Sequence, residues 1–189
     1  MCRSPNSKGN SPIKDPISIS ERPAQAEDRA VPGHWEGDLI EGLKGTFIAT
    51  LVERSTRYVI LARVRSKHTA EVVDALVRKM QNLPLELKKT LTWDRGSELA
   101  AHKQFAIASD IEVYFCDPGS PWQRGSNENT NGLLRQYFPK SSDLSYHTQA
   151  ELDLVAAKLN GRPRKTLGYM TPADKLKQIV IESGVATTH

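Results

Sequence analysis

Gly33-His34-Trp35-Glu36-Gly37-Asp38-Leu39-Ile40 places an acid, Asp38, inside a short strand pattern with an apolar end. An ionised carboxylate in such a strand costs free energy unless it is paired or binds a metal ion. Glu36 and Glu41 are nearby competitors for that role, and Glu36 lies farther from the apolar Leu39-Ile40 centre. Asp38 is therefore the first candidate for a functional residue in this chain.

Two further acids stand at the ends of regular elements farther along the chain. Asp94, in Leu91-Thr92-Trp93-Asp94-Arg95-Gly96-Ser97-Glu98, ends a short strand of the buried type. Glu128, in Gly125-Ser126-Asn127-Glu128-Asn129, opens a helix. Each has a plain alternative, because an Asp before Gly is often a turn residue and a Glu on an amphipathic helix often faces solvent. Glu98 also competes with Asp94.

Three carboxylates held on strands and a helix can converge on divalent metal. Carboxylate oxygens are the ligands that suit magnesium and manganese. Two such ions bridged by acids are a common means of displacing an oxygen at a phosphodiester. The sequence therefore predicts Asp38, Asp94 and Glu128 as metal ligands and catalytic residues.

The pattern around these acids predicts an antiparallel meander followed by alternating strands and helices. β-rich runs at 46–52 and 58–64 favour a hairpin beside the strand at 34–41. Apolar residues at helical spacing then predict a helix over 69–82. The other expected elements are strands at 90–94 and 111–116, a helical stretch at 98–109, and helices that begin at the capping signals Thr148-Gln149-Ala150-Glu151 and Thr171-Pro172-Ala173-Asp174. This order predicts an α/β fold with a mixed sheet flanked by helices.

Composition bounds the class of protein. At 189 residues, with 38% hydrophobic and 25% charged residues, the chain is expected to form one soluble globular domain. Its apolar stretches fall short of the roughly 18 residues of a membrane span. Cys2 and Cys116 are expected to be free thiols in a reducing cytoplasm. We expect a flexible lead-in over 1–28, a catalytic core over 29–182 and a tail over 183–189.

A net charge of +4 favours a polyanionic partner only weakly, so the position of the basic residues is more informative. Asn131 and Arg135 share the helical face of Glu128, an arrangement that suits an acid on a metal ion and polar groups on phosphate oxygens. Arg124 and the run Arg162-Pro163-Arg164-Lys165 are further candidates for phosphate contacts. The alternative for each cation is a solvated surface residue.

Together these motifs resemble a known family. Asp38, Asp94 and Glu128 are similar to the acidic triad of DDE transposases and retroviral-type integrases. The sequence motifs around these acids are more specific, and they are similar to those of bacterial insertion-sequence transposases of the IS-thirty type. Those motifs are the Gly33–Ile40 stretch, Leu51-Val52-Glu53-Arg54, Thr92–Glu98, Pro121–Asn129 and Asn160–Gly168. The similarity runs from about Ile19 to Leu176.

The resemblance implies a ribonuclease-H-like fold, in which a mixed five-stranded sheet is flanked by helices. It implies a DNA transposase core that hydrolyses phosphodiesters and transfers strands, with two Mg²⁺ or Mn²⁺ ions on the triad. Arg135 stands where the family carries a basic residue seven places after the Glu. The implied partners are DNA, at the element ends and the target, and further copies of the chain. The implied location is the cytoplasm at the nucleoid, without a membrane.

Members of that family carry helix-turn-helix domains ahead of the core, and these domains recognise the ends of the element. This chain begins shortly before the core, so we expect a fragment without that recognition. Two alternatives remain open. One is a nuclease on the same fold, and the other is a catalytically idle fragment that binds DNA or oligomerises with full-length transposase.

Overall fold

A mixed five-stranded sheet forms the centre of the structure, a computed structural model that describes residues 13–182. Its strands are β1 (His34–Glu41), β2 (Phe47–Glu53), β3 (Val59–Val64), β4 (Thr90–Trp93) and β5 (Glu112–Phe115). They lie in the order β3-β2-β1-β4-β5. The first three strands pair antiparallel, whereas β4 runs parallel to both β1 and β5. This arrangement confirms the predicted fold class.

Helices cover both faces of the sheet. They are α1 (Thr69–Met80), α2 (His102–Ser109), α3 (Gly125–Leu134), α4 (Gln149–Asn160) and α5 (Pro172–Glu182). The predicted capping box at the start of α4 is confirmed, since Thr148 Oγ1 accepts from the backbone of Glu151 and the Glu151 carboxylate accepts in return. Within residues 13–182, no helix is both long and apolar enough to cross a lipid bilayer.

The alternation of side chains along β1 divides the interior into two hydrophobic clusters. Trp35 belongs to the larger cluster, which lies under α1 and α2. Ile40 belongs to the smaller one, where α3 and α4 pack on β2 and β3. Because successive strand residues point to opposite faces, Glu36 and Asp38 face the same side as Ile40. Two acids of β1 therefore point towards α3.

The segment before β1 contacts the sheet edge in the residues that the structure describes. Ser18 forms a parallel bridge with Phe115 of β5, and the buried guanidinium of Arg22 donates to Thr92 Oγ1 at 2.9 Å. The buried Ala26 accepts a hydrogen bond from Arg54 through its carbonyl oxygen. The sequence assigns these residues to a flexible lead-in, but buried arginine contacts tie this part of the chain to the core. Residues 1–12 and the expected tail at 183–189 lie outside the described part.

Candidate active site

The adjacent parallel strands β1 and β4 bring Asp38, which lies within β1, next to Asp94, which directly follows β4. The parallel register of the two strands, continued two residues beyond its last pair, places these acids opposite each other. Neighbouring strands lie about 5 Å apart, which is close enough for two carboxylates to share a ligand. Gly37 permits the approach, because a Cβ there would lie 2.3 Å from Cζ3 of the Trp93 ring. Gly37 directly precedes Asp38, and Trp93 directly precedes Asp94. The close contact between Gly37 and the Trp93 ring therefore sets the spacing of the two acids.

Arg124 lies between the two aspartates as a buried cation. Its Nη1 lies 3.2 Å from Oδ2 of Asp38, and its Nη2 lies 3.7 Å from Oδ2 of Asp94. Burial lowers the pKa of the Arg124 guanidinium, but the two carboxylates outweigh burial and raise that pKa above its ordinary value. Burial raises the pKa of the Asp38 carboxyl, and the charge of Arg124 opposes this rise. The sequence assigns Arg124 to DNA phosphates, whereas its guanidinium here is the counter-ion of two candidate metal ligands.

Both aspartates line an open cleft of about 170 Å³, which we call the acid cleft. Glu41 and Glu98 add carboxylates to its wall, and Lys67 is its basic residue. The Asp38 side chain is 26% exposed and the Asp94 side chain 45% exposed, so solvent ions can reach both. The cleft is therefore rich in carboxylate oxygens and open on one side.

Glu98 approaches Asp94 over a tight turn. The backbone N–H of Gly96 donates to Oδ1 of Asp94 at 3.0 Å. A Cβ at Gly96 would lie 1.9 Å from Oε2 of Glu98 and 2.9 Å from Oδ1 of Asp94, so a side chain at this position would displace the carboxylates that close over it. Glu98 and Asp94 are alternative candidates for the catalytic acid in the sequence. The structure keeps both candidates, because both carboxylates line the acid cleft.

Helix α3, which carries Glu128, packs on the face of the sheet towards which Asp38 points. Arg124 directly precedes this helix, and Asn131 Nδ2 donates to Oδ2 of Asp38 at 3.1 Å. Glu128 follows Arg124 by four residues and precedes Asn131 by three, so it lies on the side of α3 that these contacts turn towards the aspartates. Its side chain is exposed, and no three His, Cys, Asp or Glu side chains of residues 13–182 gather closely enough to hold a metal ion. The structure thus joins Asp38 and Asp94 and leaves Glu128 beside them, out of contact.

The donor set of the acid cleft fits a divalent cation. Asp38 and Asp94 supply the hard oxygen ligands that magnesium and manganese prefer, and both already converge on one positive group. Asn131 Oδ1 is buried and has no hydrogen-bond partner within the described part of the chain. This oxygen offers a further neutral donor beside Asp38. Glu128, the acid that the sequence assigns to this set, is exposed on α3 and does not line the cleft.

A second acid of β1 is closed off from solvent beneath α3. Glu36 is 1% exposed; Arg54 Nε donates to its Oε1 at 2.9 Å, and the backbone N–H of Asn127 donates to its Oε2 at 2.9 Å. Asn127 Nδ2 also donates to the carbonyl oxygen of Glu36 at 3.0 Å, and Thr50 Oγ1 donates to Asn127 Oδ1 at 3.3 Å. We call Glu36, Arg54, Asn127 and Thr50 the buried polar layer. Because its partners occupy both oxygens, Glu36 does not compete for metal.

The sequence analysis does not anticipate the roles of Arg54 and Asn127 in this layer. The available signal is the period of two along β1, which puts Glu36 on the side of α3. An Arg that ends the paired strand could then be matched to that acid. Asn127 gave no comparable signal, because only the packing of α3 shows that it is buried.

Arg135 lies at the margin of the acid cleft. It follows the last residue of α3, and its Nη1 donates to the carbonyl oxygens of Glu41 and Phe138 at 2.9 and 3.3 Å. Glu41 is itself part of the cleft wall. The guanidinium is therefore held close to the acids by backbone oxygens and forms no ion pair with a described carboxylate.

The basic run after α4 lies on the other side of α3. Arg162 lies over the Tyr137 ring, with Cζ 5.7 Å from the ring centroid. Arg164 Nη2 donates to the carbonyl oxygen of Leu159 at 3.4 Å, and Lys165 is exposed. None of these three side chains lines the acid cleft. The structure therefore separates this run from the acids, whereas Arg124, Asn131 and Arg135 lie next to them.

Comparison with known proteins gives a consistent similarity. The family model of the integrase core domain matches residues 28–121, which include Asp38 and Asp94 but end before α3. The chain is 54% identical over 181 residues to the transposase InsI for insertion sequence element IS30A of Escherichia coli (strain K12). It is 48% identical over 182 residues to the transposase for insertion sequence element IS1086 of Cupriavidus metallidurans. It is 40% identical over 189 residues to the transposase for insertion sequence element IS4351 of Bacteroides fragilis.

These similarities cover nearly all of this chain and about half of each relative. The matches take in 96%, 94% and 97% of the chain, but 46%, 54% and 56% of the three relatives. The similarity therefore extends beyond residue 121 to the helix that carries Glu128. Activities that need the other half of such a relative are not carried over by the match.

Proposed function

This chain belongs to the insertion-sequence transposases of the IS30 type and carries their integrase core domain, and we propose that it catalyses metal-dependent cleavage and joining of DNA strands. The observation that carries the proposal is the pair of Asp38, within β1, and Asp94, directly after the adjacent β4, both in contact with one buried cation. Two carboxylates that share a cation are arranged as ligands for a divalent ion. The mixed sheet with flanking helices is the ribonuclease-H-like fold of such cores.

Integrase-core domains generally use divalent metal ions. We propose two Mg²⁺ or Mn²⁺ ions, held by Asp38, Asp94 and Glu128. When bound, such ions activate the attacking oxygen and stabilise the leaving oxygen of an in-line displacement. The support in this structure is the hard-oxygen donor set and the buried, unpartnered Oδ1 of Asn131 beside Asp38.

The chain's own residues then divide the work in the acid cleft. Asp38 and Asp94 hold positions set by the strands, and Arg124 offsets their mutual repulsion. Asn131 fixes the Asp38 carboxylate through its amide. Arg135, at the margin of the cleft, is placed to contact a phosphate of the DNA backbone.

The partners form part of the same proposal. DNA is the substrate, both as element ends and as target. Arg162, Arg164 and Lys165 are proposed to contact its phosphates, since these side chains form no ion pair with a described carboxylate. An active complex of several copies and an association with the nucleoid follow from action on DNA, and they are proposed on that ground alone.

Strand cleavage by charge-neutral variants tests the three acids. Asp38→Asn, Asp94→Asn and Glu128→Gln should each reduce Mg²⁺- or Mn²⁺-dependent cleavage of a labelled duplex by at least about a thousand-fold, because residues that act as one unit each remove most of the rate. For the same reason, a double variant should lose little more than a single one. Gel assays at several metal concentrations provide the rates.

Glu98→Gln is the matched control, because Glu98 shares the acid cleft and differs from Glu128 in the element that carries it. Cleavage by Glu98→Gln should stay within about ten-fold of the parent rate. That change is much smaller than the loss of about a thousand-fold expected for each of the three catalytic acids. A folded Glu128→Gln protein with the parent rate, together with an inactive Glu98→Gln protein, would transfer the third role to Glu98.

A further inference from the structure

A groove of about 290 Å³ on the other side of α3 is lined by three arginines and no acid of the described residues. Arg29 enters it from the segment before β1, Arg57 from the turn between β2 and β3, and Arg164 from the run after α4. Ser126 and Thr130 of α3 form much of its floor. We call this the arginine groove. Three distant parts of the sequence therefore place guanidiniums around one opening.

Within the described part of the chain, no carboxylate lines the arginine groove. Arg57 Nη1 donates to the hydroxyl of Ser126, Arg164 Nη2 donates to a carbonyl oxygen, and Arg29 is exposed. None of the three forms an ion pair with a described carboxylate. Burial lowers the pKa of Arg57 and repulsion by the charge of Arg29 lowers it further, whereas Glu36 and Glu53, which do not line the groove, act in the opposite direction. An anion between them would relieve that repulsion.

Other arginines of the molecule show that this lack of acids is specific to the groove. Arg54 is paired with Glu36, and Arg124 lies between two aspartates. The groove that Arg63, Arg65 and Arg78 line also contains Glu71 and Asp74. Only in the arginine groove, of these places, do several guanidiniums meet without an acid. Guanidinium groups in this setting suit the bidentate binding of phosphate oxygens.

The groove lies beside a second opening that favours a polynucleotide over a small anion. Arg29 also lines a neighbouring pocket of about 430 Å³, whose wall includes Trp122. The Trp122 side chain is 72% exposed, although tryptophan is usually well buried. Exposed aromatic rings next to cations are the surfaces on which unpaired bases stack. Three guanidiniums and an exposed aromatic ring thus lie in adjacent openings.

We propose that the arginine groove binds the phosphate backbone of a DNA strand, as a contact separate from the acid cleft. The proposal rests on the proposed function, because that function supplies DNA as the partner. Ser126, Thr130 and Leu133 of α3 line the groove, whereas Glu128 lies on the side towards the aspartates. One helix therefore separates the reactive acids from a backbone-binding surface. Trp122 stacks an unpaired base of the same strand.

DNA binding in the absence of divalent metal tests this contact without any need for catalysis. The triple variant Arg29→Gln, Arg57→Gln, Arg164→Gln should bind a short labelled duplex at least about ten-fold more weakly at moderate salt. The slope of log K against log salt should fall by about 2 to 3 units, because each lost phosphate contact removes about 0.9. The matched control is Arg63→Gln, Arg65→Gln, Arg78→Gln, which removes the same charge from a groove that contains acids. Its slope should change by less than about one unit.

Equal losses in the two triple variants would overturn the proposal, because binding would then follow net charge alone. Unchanged binding in the groove variant would also overturn it. Asp94→Asn keeps the groove intact, so it should retain DNA binding in this assay even though it loses cleavage. A failure of the groove proposal is thereby distinct from a failure of the acid assignment.

Iodide quenching of fluorescence separates a polynucleotide from a free anion. Trp35 and Trp93 are 0% and 1% exposed, so the quenchable signal comes from Trp122. A single-stranded oligonucleotide should protect Trp122 from iodide, and inorganic phosphate should not. Protection by phosphate alone, or none by the oligonucleotide, would overturn the assignment of Trp122 to the strand.

Discussion

Glu36 and Asp38 lie two residues apart on the same face of β1, but they differ in exposure and in the groups that they contact. Glu36 is 1% exposed and both its oxygens accept from fixed donors, Arg54 and Asn127. The Asp38 side chain is 26% exposed and shares its cation with Asp94. The first acid stabilises the packing of α3 on the sheet, whereas the second keeps charge available to a ligand. The partner arginines Arg54 and Arg124 are both buried, so the exposure of the acid itself decides which role it takes.

Breaking the buried polar layer should have the largest effect on stability. Glu36→Gln leaves the buried guanidinium of Arg54 without its carboxylate, and such a loss costs about 3–5 kcal/mol in the free energy of unfolding. Asp38→Asn should change that free energy by no more than about 1 kcal/mol, because Arg124 keeps Asp94 and solvent reaches the site. Urea denaturation of both variants gives the comparison directly. Equal destabilisation by the two substitutions would show that the buried Glu36 and the partly exposed Asp38 contribute equally to stability.

The fold was largely predictable from local patterns. The alternation in β1, the hairpin of β2 and β3 and the capping signals at Thr148 and Thr171 are local features, and the structure confirms each of them. Such elements depend on residues within a few positions of one another. Their order along the chain predicted a mixed sheet flanked by helices, whereas the number of five strands came from the family resemblance.

The contacts inside the site were less predictable, because they join distant parts of the sequence. Arg124 was assigned to DNA phosphates, since nothing local indicates that its guanidinium reaches two acids on adjacent strands. Asn127 gave no signal at all, and its burial depends on how α3 packs. Arg29 and Arg57 were not singled out, because only the folded chain brings them to Arg164. Candidate acids can be chosen from sequence, but the cations around them require tertiary structure.

A third titratable group on this face of β1, His34, extends the comparison to acid stability. His34 is 2% exposed, Nδ1 contacts Thr90 Oγ1 at 2.8 Å, and Nε2 has no partner among the described residues. Burial lowers its pKa from the usual 6.5 to about 4, so the folded protein keeps the ring neutral. The stability linked to this neutral ring is therefore complete above pH 6.5 and is lost as the pH falls towards 4 and below. The loss should be at most about 3 kcal/mol.

His34→Gln should weaken the decline of stability between these pH values, because the variant has no ring to protonate. The measurement is the free energy of unfolding of parent and variant across that range. His68→Gln is the matched control, since His68 is exposed and should leave the pH dependence unchanged. A decline in His34→Gln as steep as in the parent would assign the acid sensitivity to the carboxylates instead.

The smallest expected effect is the stabilisation of the folded protein by divalent metal. It should depend on the acids of the acid cleft alone. Magnesium that binds only the folded protein stabilises it by mass action, by about 1.4 to 2.7 kcal/mol at 10 to 100 times its Kd. Asp38→Asn and Asp94→Asn should each respond less, because each lacks one of the two carboxylates that converge in the acid cleft. Thermal unfolding at constant ionic strength gives the measurement, since general screening of charge is then held fixed.

Asp74→Asn provides the control for this last comparison. Asp74 is an exposed acid of α1 that lies outside the acid cleft, so its removal should leave the magnesium response at the parent value. An equal response in all four proteins would place the metal elsewhere and leave Asp38 and Asp94 as an ion pair network around Arg124. A response that disappears only in the two cleft variants would assign the metal to Asp38 and Asp94 and exclude a general effect of removing one acid. Manganese in place of magnesium should reproduce the same order of variants, because both ions prefer oxygen ligands.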